Sequence, residues 1–73
     1  MRIKWIDGNL AEVTKTSPLS GKPNTRRIIM TPSQLIDWRK GSLIQAVFPA
    51  LSADDREFLM TGLTPEEFPQ DEV

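Results

Sequence analysis

Five carboxylates stand close together in the C-terminal half of the chain: Asp54, Asp55, Glu57, Glu66 and Glu67. Such a set could supply a paired general acid and base, or oxygen ligands for a hard cation. Their spacing argues for a humbler role. Asp54 and Asp55 follow Ser52, and Glu66 and Glu67 follow Thr64-Pro65. Carboxylates in the first turn of a helix complete its cap and favour the positive end of its dipole. Four of the five are accounted for in this way, which leaves Glu57 as a solvated side chain. The chain contains no His, Cys or Tyr. The usual proton shuttles at neutral pH are therefore missing, and Ser-His or Cys-His pairs are impossible. No enzymatic activity, catalytic residue, metal ligand or cofactor is expected.

A second set is basic. Lys15, Lys22, Arg26 and Arg27 follow Arg2 and Lys4 along the N-terminal half. Residues up to Lys40 include eight Lys/Arg against three Asp/Glu, and the remainder holds one Arg against seven Asp/Glu. Phosphate contacts from Lys22, Arg26 and Arg27, with Trp5 or Trp38 as a stacking platform, would suit a nucleic-acid binder. Against this, the net charge is −1, and a dedicated binder has a stronger basic footprint. A solvated loop with both tryptophans in the core is the plainer reading.

The elements that carry these residues are legible. Asp7-Gly8-Asn9 supplies turn residues that tolerate positive φ, so residues 1–15 read as a β-hairpin. A three-residue loop pairs Ile6 with Leu10, Trp5 with Ala11, Lys4 with Glu12 and Ile3 with Val13. That register puts Ile3, Trp5, Ala11 and Val13 on one face and Arg2, Lys4, Glu12 and Thr14 on the other. A two-residue loop would set Ile3 against Glu12 and mix the faces. Residues 16–25, with two prolines, a glycine and small polar side chains, read as a loop. Gly21-Lys22 lacks the other residues of a phosphate loop. Arg26–Met30 suits a third strand.

Helices follow. Thr31-Pro32-Ser33-Gln34 is a capping box with proline at the first helical position, and Met30 and Leu35 stand where a staple would close. This helix should end at Gly41. Ser42-Leu43-Ile44-Gln45 reads as another start, with an apolar stripe of Leu43, Ile44, Val47 and Phe48; Gln45 could present its amide to a partner, but closing the Ser42 cap is the plainer reading. Ser52 caps a third helix, which Gly62 ends. Thr64-Pro65-Glu66-Glu67 is a capping box for a last turn, stapled by Leu63 and Phe68 and stopped by Pro69. Residues 70–73 make a frayed acidic tail.

The chain of 73 residues is one small domain, whose core should supply only about 3–5 kcal/mol. The expected class is α+β, with a hairpin and a third short strand in residues 1–30 packed against three to four short helices in 31–69. The expected core is Ile3, Trp5, Val13, Ile28, Leu35, Trp38, Leu43, Ile44, Val47, Phe48, Leu51, Phe58, Leu59 and Leu63. Some of Phe48, Phe58, Leu59, Met60, Leu63 and Phe68 could instead form a patch for a partner or a second copy. With no signal-like or membrane-spanning run, the expectation is a soluble protein of the cytoplasm.

From Leu43 to Phe68 the chain resembles a group of small uncharacterised phage and mobile-element proteins. The shared string is I-Q-x-x-F-P-x-L-S-x-x-x-R-E-F, then T-G and T-P-E-E-W. Here Ile44, Gln45, Phe48, Pro49, Leu51, Ser52, Arg56, Glu57, Phe58, Thr61, Gly62, Thr64, Pro65, Glu66 and Glu67 carry it. Phe68 stands where the group has Trp, and the hairpin lies outside the match. The resemblance implies a phage or mobile-element origin in a bacterial host and transfers no catalytic residue. The leading expectation is thus an accessory protein that binds a host or phage protein, as an inhibitor for example, through Glu57, Glu66, Glu67 and Phe68. The alternative is nucleic-acid binding through Lys22, Arg26, Arg27 and Trp5.

Overall fold

A computed structural model describes residues 1–67. Phe68, its proposed staple with Leu63, the stop at Pro69 and the acidic tail lie outside the described residues. Three antiparallel strands, β1 (Arg2–Asp7), β2 (Leu10–Thr16) and β3 (Pro23–Ile28), form a sheet in the order β1-β2-β3. Helices α1 (Pro32–Arg39), α2 (Ile44–Val47) and α3 (Ala53–Thr61) follow, then a 3₁₀ turn at Pro65–Glu67. The class is α+β.

The hairpin pairs Ile3 with Val13, Lys4 with Glu12 and Trp5 with Ala11, as the hydrophobic pattern requires. Its end differs from expectation. Leu10 pairs with Asp7, not Ile6, so the loop is only Gly8-Asn9. A β-bulge between Trp5 and Asp7 absorbs the extra residue and restores the apolar register. Neither Gly8 nor Asn9 uses positive φ. The Asn9 amide instead donates to Asp7 Oδ1 at 2.9 Å, a side-chain turn that Asp makes readily.

Strand β3 begins three residues earlier than expected and ends at Ile28, pairing Pro23 with Thr16 and Ile28 with Ala11. Proline lacks an N–H but is tolerated at the first residue of an edge strand. The loop shrinks to residues 17–22 and is tightly closed. Ser17 is buried, and its Oγ accepts from the amides of Leu19 and Ser20 at 3.1 and 3.3 Å.

Helix α1 has both halves of its capping box. Thr31 Oγ1 accepts from the Gln34 amide, and Gln34 Oε1 accepts from the Thr31 amide. Gln34 Nε2 also donates to the Val47 carbonyl at 3.1 Å, which ties α1 to α2. Met30 and Leu35, on either side of the cap, are both buried. Helix α2 corrects the reading at Ser42. Its N-cap is Leu43 with no side-chain cap, and Gln45 is exposed rather than closing a box. Helix α3 is as expected: Ser52 Oγ accepts from the Asp55 amide at 3.2 Å, and Gly62 ends it in the left-handed region at φ 88°.

The core joins the sheet to the helices through Ala11, Val13, Ile28, Met30, Ile44, Phe48, Leu51, Phe58 and Leu59. Trp38 meets Phe48 edge to face at 6.0 Å, a favoured aromatic arrangement. Leu35 is buried apart from this cluster, and three expected core residues are outside it: Leu63 is half-buried, and Trp5 and Leu43 are more exposed still. Trp5 is 37% exposed on edge strand β1, and Leu43 is 66% exposed. The one-turn α2 buries Ile44 and Phe48, one helical step apart, and leaves Leu43 on the outer shoulder. Ala11 and Met30 fill space the expected core did not assign to them. Among the described residues, no helix is long and apolar enough to cross a membrane.

Candidate functional site

The five carboxylates do not converge. Asp54 is exposed in the first turn of α3. Asp55 does more than serve that turn: its Oδ1 lies 2.9 Å from Arg26 Nη2 and accepts from Arg26 Nε at 3.1 Å. Glu57 is half-buried one residue from Arg56. Glu66 is exposed, and its own backbone amide and the Thr64 hydroxyl hold its carboxyl below the usual range. Glu67 Oε1 accepts from Asn24 Nδ2 at 2.6 Å and from the Thr64 amide at 3.4 Å. Its own amide donates to the Thr64 carbonyl at 2.9 Å, closing a 3₁₀ turn rather than the expected hydroxyl cap. Among the described residues, no three carboxylates gather to hold a metal ion.

Burial would raise the Glu67 carboxyl, but hydrogen bonds from Asn24, Ser17, the Thr64 amide and Ser20 outweigh it and hold the group below the ordinary range. A depressed carboxyl stabilises the fold above its unfolded pKa and loses that contribution as pH falls through the folded value. Glu67→Gln should therefore flatten the acid limb of stability below the ordinary glutamate range. Urea midpoints measured across that range, for both chains, check this.

The basic set divides along the sheet. Cross-strand pairs share a face, so Lys15, Asn24, Arg26 and Val13 lie on the helix-covered side, with Ala11 and Ile28. Lys15 Nζ donates to the Leu59 and Met60 carbonyls at 2.7 and 2.9 Å, capping the last turn of α3 from the sheet. Burial pulls its ammonium below the ordinary lysine value. Arg26 makes the one salt bridge found among the described residues. Lys15 and Arg26 thus belong to structure rather than to a basic surface. Arg27, the next residue, is on the opposite face beside Glu12. Trp5, paired with Ala11, lies on the helix side, and Lys22 is exposed in the β2–β3 loop. The structure does not bring Lys22, Arg26, Arg27 and Trp5 together.

Two surface depressions result. One, about 310 Å³, lies against the open face of the sheet, with Arg2, Lys4, Glu12 and Thr14 around it. The other, about 420 Å³, runs between α2 and α3 and is lined by Ile44, Gln45, Ala53, Arg56, Glu57 and Met60. Met60 is 47% exposed there, and Leu43, just before Ile44, projects further. The side chains of Gln45, Arg56 and Glu57 make no hydrogen bond among the described residues. Sequence reasoning placed Leu43 in the core and Gln45 in a cap, and so missed this groove. The signal was present: both flank the Ile44–Phe48 stripe on a helix too short to bury a second side.

Fold and surfaces together define a small α+β domain with an open three-stranded sheet and a helical layer. Comparison with protein-family models, curated proteins and solved structures returned no match.

Proposed function

We propose that this chain is a non-enzymatic accessory protein of a bacteriophage or mobile element, and that it binds a host or phage protein in the α2–α3 groove. One observation carries the reading. Of the residues that bear the phage-like string, Phe48, Leu51 and Phe58 are buried core, and Ser52 and Gly62 end a helix. Gln45, Arg56 and Glu57 line the groove instead, beside Ile44, which also belongs to the core. Local folding accounts for the first group. It gives no role to the polar heads of Gln45, Arg56 and Glu57, which stand around an apolar floor of Ile44, Ala53 and Met60, with exposed Leu43 next in sequence to Ile44. That pattern, an apolar centre with a polar rim, is how protein interfaces are built. In this reading Glu57, which lines the groove, is a contact residue, and Glu66, which is exposed, could join it. Glu67 is committed to Asn24.

The occupant is an apolar side chain of the partner, flanked by groups that pair with Arg56 and Glu57. Leu43→Ser with Met60→Ser removes one apolar lining residue and the exposed leucine next to Ile44, and leaves the buried core intact. The tagged chain should capture a stoichiometric partner from a lysate of the bacterial host, infected or not, and the double variant should lose at least about 2 kcal/mol of that affinity. Equal retention by both chains, or no stoichiometric partner at all, defeats the reading. A second copy as occupant would show as a doubled solution mass that the same variant halves.

A further inference from the structure

We infer that the uncovered face of the sheet is a docking surface for double-stranded DNA, entering the major groove with its two edge strands toward the two phosphate backbones.

Strand alternation and cross-strand register set out this face. One row reads Lys4, Glu12, Arg27 and the next reads Arg2, Thr14, Thr25. Cations therefore occupy both outer strands, Arg2 and Lys4 on β1 and Arg27 on β3. The central strand carries a carboxylate and a hydroxyl. Among the described residues, none of the three cations is within salt-bridge distance of a carboxylate, since the one such pair is Arg26 with Asp55 on the other face. Those cations are available to an external anion. The helices, with Asp54, Asp55, Glu57 and Glu66, follow β3 and cover the opposite side. This sorting lets a chain of net charge −1 present a basic face.

Dimensions favour a duplex. Neighbouring strands lie about 4.8 Å apart, so the outer strands are about 9.6 Å apart. The major groove of B-DNA is about 12 Å wide and admits a two-stranded β-ribbon; the spacing of the outer strands here is still within that width. Arg2 and Lys4, two residues apart on one strand, are separated by about 6.8 Å along it. Long side chains at the edges reach outward to phosphates, while the short central residues face base edges. Glu12 would repel a phosphate, but it is a suitable acceptor for the cytosine N4 amine. Thr14 and Thr25, whose hydroxyls are bonded to each other at 2.8 Å, offer methyl groups to thymine.

The other polyanions fit less well. Among the described residues the face has no aromatic side chain, because Trp5 lies on the helix side, so it lacks the stacking platform that single strands use. The deep, narrow major groove of A-form RNA does not admit such a sheet. On this face Ile6 and, just past β3, Ile29 are exposed, two apolar side chains beside three cations rather than the continuous apolar face that enters a bilayer.

The test is fluorescence anisotropy with a labelled random-sequence duplex, titrated with the full chain across a salt series. Three phosphate contacts predict a slope of log K against log salt of about −2.7. Arg2→Ala with Arg27→Ala should lower that slope by about two and weaken binding at low salt at least about tenfold. Arg39→Ala with Lys40→Ala removes the same charge from the end of α1 and should change affinity less than about twofold. Arg2→Lys with Arg27→Lys keeps the charge and should keep the slope, which separates lost contacts from a lost fold. Glu12→Gln should tighten binding to the random duplex. It should also remove any enrichment for cytosine in duplexes selected from a random pool. Equal loss in the two alanine pairs would reduce the effect to general attraction and overturn the proposal. So would no duplex binding at low salt, or tighter binding to single strands or to phosphatidylserine vesicles.

Discussion

Gly62→Ala should remove most of the stability of the fold. Two independent penalties meet at this position. The backbone is left-handed, with φ 88°, where a Cβ costs about 1–2 kcal/mol. A Cβ built there would also lie 2.6 Å from the Thr16 carbonyl oxygen. That obstacle is backbone in a paired strand, so relief requires moving β2 or the end of α3. Neither can move alone. The Gly62 amide donates to the Phe58 carbonyl at 2.8 Å, and its carbonyl accepts from Asn24 Nδ2 at 2.9 Å. A total loss of about 3 kcal/mol or more is expected, against the about 3–5 kcal/mol that a core of this size supplies. Circular dichroism with urea titration measures it. Gly41→Ala is the comparison: φ is 107° there as well, but nothing lies within 4 Å of its added Cβ, so it should show the backbone penalty alone. Equal effects at the two glycines would mean that the Thr16 contact is not tight.

The difference between those glycines shows which features were legible from sequence. Both are visible as helix stops, because a stop depends on residues within one turn of it. The caps of α1 and α3 were legible for the same reason: Thr31 with Gln34 and Ser52 with Asp55 are complete within four residues. The hairpin register was legible at three of its pairs, since a slip would have turned Ile3 and Val13 to solvent. At its end, the choice between a longer loop and a short loop with a bulge depends on turn energetics that leave the same face buried. The close packing of Gly62 on Thr16 was not legible. It depends on where α3 lies across the sheet, which no local pattern encodes.

The candidate surfaces were misread for a related reason. Arg26 and Arg27 are neighbours in sequence, and a basic run suggests one patch. A strand sends them to opposite faces, where Arg26 meets Asp55 and Arg27 faces out. Once β3 is accepted as a strand, period two alone predicts the separation; what it cannot say is which face the helices will cover. The groove was hidden differently. Leu43, Ile44, Val47 and Phe48 form a stripe wide enough for either shoulder to face inward, and only the packing of α2 on α1 and α3 selects Ile44 over Leu43.

Lys15 carries the second large effect. A lysine two residues from Val13 on the covered face of a central strand should be unwelcome, because burial disfavours its charge. Here it spans sheet and helix and donates to the two carbonyls, of Leu59 and Met60, that the last turn of α3 leaves without helical partners. Its directly paired neighbour Asn24 reaches the carbonyl of Gly62, two residues past Met60, and the Glu67 carboxylate. One rung of the sheet thus holds the whole C-terminal end of α3 and the turn beyond it. Lys15→Met keeps the apolar stem and removes the donor, so it isolates the cap from the packing. The expected loss is about 1.5–3 kcal/mol, the range for hydrogen bonds from a charged group. Asn24→Ala should cost less singly, and the double variant less than the sum, because both residues secure one segment. Hydrogen exchange distinguishes this from a general weakening: in Lys15→Met, protection should fall first at the amides of Met60 to Gly62, while those paired between β1 and β2 keep theirs. Uniform loss across the sheet would mean that Lys15 supports the core rather than the helix end.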